Sequence, residues 1–185
     1  MNEIVFIPLL MIGDYYLTLF ANFLRQKGHS NHFIIKDYEL NPIWLNDIRK
    51  GRKVNPKHLA MVLIVTAYFY YLKNTTIDFF LYQILIGFFF TYYLLIIFRH
   101  ISNVLTYTFV MNNPDQLSGE IVQKPKYIYY HSSYQYLLSL APLLALLIFI
   151  KSYYLYGGAL ACISMIASHL FMYRRYVNKK EAQGH

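Results

Sequence analysis

With one cysteine in 185 residues, Cys162, the chain has no internal disulfide and no C-x-x-C site. It has no G-x-S-x-G elbow, no H-E-x-x-H helix and no glycine-rich phosphate loop, so no cofactor is expected. Acidic residues are scarce, nine against seventeen lysines and arginines. Charged residues of both signs reach only 14%, where a soluble domain carries about a quarter. In their place stand 57% hydrophobic and 19% aromatic residues.

These apolar residues fall in runs long enough to cross a bilayer, which takes about 20 residues. Five are expected to span: 4–24, 58–73, 77–98, 134–151 and 153–173. The short gaps after the second and fourth make each of those pairs a helical hairpin. The first run lacks a basic leader and an A-x-A site and carries Asp14, unlike a signal peptide. The fold class is therefore an all-α polytopic membrane protein in one membrane domain.

The basic residues orient it. Eight lie in 25–57, three in 99–133 and four in the tail 174–185, while Lys73 and Lys151 occupy the hairpin turns. Five spans with the N-terminus out and the C-terminus in put all but those two on the cytoplasmic side. Four or six spans would break that asymmetry. The net charge of +8 is thus a topology signal, and no nucleic-acid partner is expected. Tyrosines 68, 70, 71, 153, 154 and 156 cluster at the outer ends of spans, where amphipathic rings favour the interface. The expected location is the plasma membrane, multi-pass.

NPIWLNDIRKG, residues 41–51, has a capping Asn41, Pro42 at a first helical position and Gly51 at the stop. Trp44, Leu45 and Ile48 fall on one face, with Asn46, Asp47, Arg49 and Lys50 on the other. That pattern suits a short interfacial helix after the first span. Trp44, Arg49, Lys50, Arg52 and Lys53 would then meet anionic lipid headgroups of the inner leaflet. In 99–133, RHISNVLTYTFVM continues the third span as a helix ending before Asn113-Pro114. GEIVQKPKYIYYH is either a small hairpin or the approach to the fourth span.

Polar residues inside the spans mark the candidate site. Asp14, Thr18, Asn22 and Arg25 sit at i, i+4, i+8 and i+11, one helical stripe that lipid would not tolerate. Gln83, Gly87 and Thr91 repeat the spacing, and Gly157, Ala161, Ser164 and Ser168 form a small-residue stripe suited to close packing. Asp14, Thr18, Asn22, Arg99 and His169 would line a polar cavity open to the cytoplasm, with Arg99 and His169 as candidate partners of the carboxylate. Asp14, Glu39 and His100 are the candidate acid–base groups. A structural alternative stands beside each: Asp14 bonded to Thr91 or a tyrosine hydroxyl, His169 a buried hydrogen-bonded imidazole, Arg99 a headgroup anchor. His29 and His32 form an H-x-x-H, a weak metal candidate with no third ligand fixed by spacing. Ile12-Gly13-Asp14 is similar to the motif of intramembrane aspartyl proteases, whose chemistry needs two facing aspartates. With one mid-span carboxylate, this chain would need a second copy.

Asp14 with Thr18, followed by Glu39-Leu40-Asn41-Pro42, resembles small uncharacterised multi-pass membrane proteins of bacteria and archaea. Their first span carries an Asp with Thr a turn later, and Glu-x-Asn-Pro precedes the next span. Here a longer basic stretch intervenes. The resemblance implies that Asp14, Thr18, Glu39 and Asn41 share a site at the inner surface, and implies no activity.

Two function classes fit these residues. One is a transport, channel-like or accessory membrane-complex subunit, with Asp14 binding a proton or cation and several chains assembled as a homo-oligomer or larger complex. The other is a membrane-embedded enzyme acting on a lipid or lipid-linked phosphate at the cytoplasmic leaflet.

Overall fold

The computed structural model describes residues 3–34, 42–75 and 79–181 and is nearly all helical. A 3-10 turn, Glu3–Val5, leads into α1 (Phe6–Gln26). A second turn, His29–Asn31, precedes strand β1 (Phe33–Ile34). Then come α2 (Pro42–Arg49), α3 (Pro56–Thr75) and α4 (Phe79–Asn112). Strand β2 (Ile121–Val122), α5 (Pro125–Phe149) and α6 (Tyr153–Glu181) complete the chain.

Among the described residues, four helices are long and apolar enough to cross a membrane: Glu3–Gln26, Phe79–Asn112, Pro125–Phe149 and Tyr153–Arg175. The run expected at 58–73 is helical as α3, but it is not among those four. Three tyrosines, His58 and the flanking Lys57 and Lys73 dilute its apolar character. At 34 residues and 1.5 Å per residue, α4 is about 51 Å long, well beyond a ~30 Å hydrocarbon core. It extends through RHISNVLTYTFVM and stops at Asn113-Pro114. α5 starts nine residues before the 134 expected for the fourth run, because the polar residues of 125–133 continue its turns from Pro125 at the first helical position. Pro142 sits inside α5, as membrane-spanning helices tolerate when the freed carbonyl is re-satisfied by a neighbour or a local adjustment.

The chain forms two compact units. The first joins Met1–Tyr71 with Tyr93–Val122, and the second joins Leu72–Tyr92 with Gln123–His185. In the first, α1 and the second part of α4 run parallel. A Cβ on Gly13 would lie 3.8 Å from the Ile97 side chain, and one on Gly28 would lie 3.8 Å from the Met111 backbone. Between these contacts, Ala21, Leu24 and Tyr107 form a buried cluster with Val104 and Met111 packed on it. β1 and β2 pair in parallel, Phe33 opposite Ile121 and Ile34 opposite Val122. Ile121 therefore joins a distant strand and not a local hairpin, with its N–H donating to the His32 carbonyl at 2.7 Å.

In the second unit α5 and α6 pack along one another after a three-residue connection. The start of α6 also crosses the first part of α4 with the two backbones in contact. A Cβ on Gly87 would strike the Tyr154 backbone, and one on Gly157 would strike Ile84 and Phe88. Only half of the small-residue stripe is used here, since Gly157 and Ala161 are buried while Ser164 and Ser168 are exposed.

Candidate functional site

Tyr15, Thr18 and Asn22 lie on the buried side of α1, with Met11 and Ala21. Thr18 is 4% exposed, so its hydroxyl must be satisfied within the protein. It donates to the Asp14 carbonyl one turn back, at 2.8 Å. The same oxygen lies 3.0 Å from His100 Nε2, on α4. With the threonine proton directed to the carbonyl, Oγ1 can only accept from the imidazole, so Nε2 carries a hydrogen. Nε2 is also 3.2 Å from Asp14 Oδ1. Because that hydrogen points at Thr18, Oδ1 is buried with no aligned donor among the described residues.

His100 thus stands at ion-pair distance from Asp14, where Arg99 and His169 had been the candidates. One residue step turns a helix by about 100°, so His100 and the preceding Arg99 point in different directions. His169 belongs to the other unit, with its ring against Tyr129 and Tyr136. Asn22 is buried further along the stripe, and Arg25 is half-buried. Glu39 and Asn41 lie outside the described residues.

Asp14 and Thr18 also line a partly open cavity of about 60 Å³, together with Met11, Tyr15, Trp44, Ile48, His58, Met61 and Tyr93. His58 was not singled out from the sequence as part of this site. Its ring stacks on Tyr15 at 4.6 Å and meets Trp44 edge-on at 5.6 Å. Its position follows from the α2–α3 turn. Asn55 Oδ1 accepts the backbone N–H groups of Lys57 and His58, an N-cap, while its Nδ2 donates to Asp47 at 3.0 Å. Asp47 also pairs with Arg52 at 3.0 Å, and the Arg52 carbonyl accepts the Tyr15 hydroxyl at 2.7 Å. Asp47, expected on the polar outer face of α2, is consequently buried. The chain reverses at Gly51, φ +61°, and brings Arg52 and Asn55 back over it. Trp44 is half-buried at the cavity, while Arg49, Lys50, Arg52 and Lys53 are exposed.

The H-x-x-H histidines diverge. His29 is buried between Phe33 and Tyr107, at 4.4 and 4.3 Å. His32 Nδ1 lies 3.1 Å from the Gly119 carbonyl. No group of three or more histidine, cysteine, aspartate or glutamate side chains among the described residues could hold a metal ion. Burial, reinforced by the charge of Arg25, lowers the His29 pKa to about 4. The unfolded chain, with histidine near 6.5, then binds more protons than the folded one between those values. Stability is full above pH 6.5 and falls as pH drops toward 4, by up to roughly 3 kcal/mol. Thermal melts in detergent between pH 7.5 and 4.5 should show this slope, and His29→Leu should flatten it.

The chain matches no protein-family model, no curated protein and no solved structure.

Proposed function

We propose that the protein is a multi-pass membrane protein of transport or accessory type that binds and releases protons at Asp14. The observation carrying this reading is Asp14 Oδ1, buried beside His100 and Thr18 on the wall of a water-sized cavity. An ionisable residue inside a span is functional by default. The size of the cavity decides between ligands. About 60 Å³ admits a few waters or a small ion, whereas small-molecule sites take about 300–1,000 Å³. That argues against a lipid-linked phosphate as the substrate here. Among the described residues no group of three or more histidine, cysteine, aspartate or glutamate side chains stands here to hold a metal ion, which favours a proton over a metal cation. His58 lines the same cavity and offers an imidazole to the proton that Asp14 gives up.

The topology belongs to the same reading: five spans, N-terminus out and C-terminus in, with α2 at the inner interface of the plasma membrane. The parallel course of α1 and α4 supports it. For both to cross in one direction, α3 must return across the bilayer, and its 20 residues reach about 30 Å. A path through the membrane would be completed by further copies or by a larger complex.

Proteoliposomes loaded with a pH-sensitive dye test the proposal. Under an imposed gradient, wild-type protein should dissipate it at least 10-fold faster than Asp14→Asn. Wild-type vesicles as tight as empty ones would refute transport. Undiminished flux in Asp14→Asn would remove the proton from Asp14.

A further inference from the structure

The second unit carries an open groove of about 350 Å³ lined by Lys124, Lys126, Tyr127, Tyr130 and Tyr173, distinct from the Asp14 cavity. We propose that this groove binds the phosphate and upper acyl region of an anionic phospholipid. Its walls are tyrosine rings and lysine methylenes, so the surface offered is mostly apolar. Two ammonium groups stand at its edge. A ligand matching both must carry a negative head and an apolar body.

The groove is held in shape by its own residues. Tyr130 on α5 meets Tyr173 on α6 at 6.1 Å between ring centres. Lys126 Nζ lies 5.5 Å over the Tyr173 ring, which holds the ammonium at the groove, where its remaining N–H groups can meet an anion. The tyrosine hydroxyls can donate to phosphate oxygens. Charge complementarity extends beyond the groove. Lys124 and Lys126 open α5, while Arg174 and Arg175 lie on the last part of α6, at the same end of the helix pair. Among the side chains described in this unit there is no acidic residue. Each cation near an anionic surface contributes about 1 kcal/mol of attraction. The tyrosines suit the headgroup level, where amphipathic rings collect. This site is independent of the proton chemistry at Asp14 and requires only that the helix pair sit in a bilayer.

Native mass spectrometry of the full chain in detergent tests it, by titration with phosphatidylglycerol and, separately, phosphatidylcholine. Phosphatidylglycerol should bind tighter, and Lys124→Gln/Lys126→Gln should weaken it about 10-fold or more. Lys151→Gln, at the opposite end of the helix pair, should leave it within 2-fold. Tyr130→Leu should weaken it with both lysines in place. Three results would overturn the proposal: retained phosphatidylglycerol affinity in the double variant, equal affinity for phosphatidylcholine, or displacement of the lipid by an equal concentration of inorganic phosphate. The last would make free phosphate the ligand.

Discussion

Replacing His100 with leucine is expected to destabilise the protein by about 1–3 kcal/mol, the cost of taking the imidazole away from the buried polar atoms of Thr18 and Asp14. His100 is 6% exposed and Asp14 Oδ1 is buried beside it, so water replaces the imidazole poorly at that oxygen. Asp14→Leu should behave differently. It removes the carboxylate itself and leaves the imidazole still hydrogen-bonded to Thr18. Its stability should equal or exceed that of the wild type, as for a carboxylate kept for function. Asp14→Leu/His100→Leu should recover most of the single His100→Leu loss, with a coupling of 0.5–3 kcal/mol in the double-mutant cycle. Thermal or denaturant unfolding in one detergent measures all four forms. A His100→Leu protein as stable as wild type would mean that the pair contributes nothing. A large loss in Asp14→Leu would make the carboxylate a structural bond between α1 and α4, and proton binding there would lose its footing.

The other large effect concerns Gly87 and Gly157. Leucine at either position should abolish the folded second unit, because a side chain there meets backbone and not a movable neighbour. Even alanine should cost about 3 kcal/mol, the upper end for overpacking, since both helices must separate along their crossing. Gly13→Ala is the matched control. It too is a mid-helix glycine, but a Cβ would find only the Ile97 side chain at 3.8 Å. The yield of monodisperse protein from membranes, followed by melting temperature, separates the three. Close approach of backbones through glycine is how apolar helices gain contact where lipid offers no hydrophobic drive. Survival of Gly87→Leu with a wild-type melt would show that the crossing is wider than described.

How far these features could be read in the chain depends on whether they are local. The apolar runs of α1, α4, α5 and α6 are local, and their membrane-compatible length is visible directly in the residues. The stop of α4 at Asn113-Pro114 is local too. The partner of Asp14 is not. Stripe spacing places Asp14, Thr18 and Asn22 together on α1, but a choice between Arg99 and His100 depends on the rotation of another helix, and one residue is worth about 100°. His58 reaches the cavity through the turn at Gly51 and the Asn55 cap, and no periodicity in α3 marks it. The burial of Asp47 has the same origin. The β1–β2 pairing joins segments 88 positions apart, Phe33 with Ile121, and two-residue strands leave no alternation to recognise.

The separation of Asp14 from His100 also bears on how the protein is made. The two residues are 86 positions apart, and a ribosome adds about 5–20 residues per second. For roughly 4–17 s after Asp14 is synthesised, its imidazole partner does not yet exist. During that interval the first helix carries an uncompensated carboxylate, which at a helix centre works against insertion by ~2.5 kcal/mol or more. In the proposed topology, residence of α1 in the bilayer is therefore secured late, when α4 arrives alongside it, and slow or interrupted synthesis between the two helices would expose α1 to the cell's quality control.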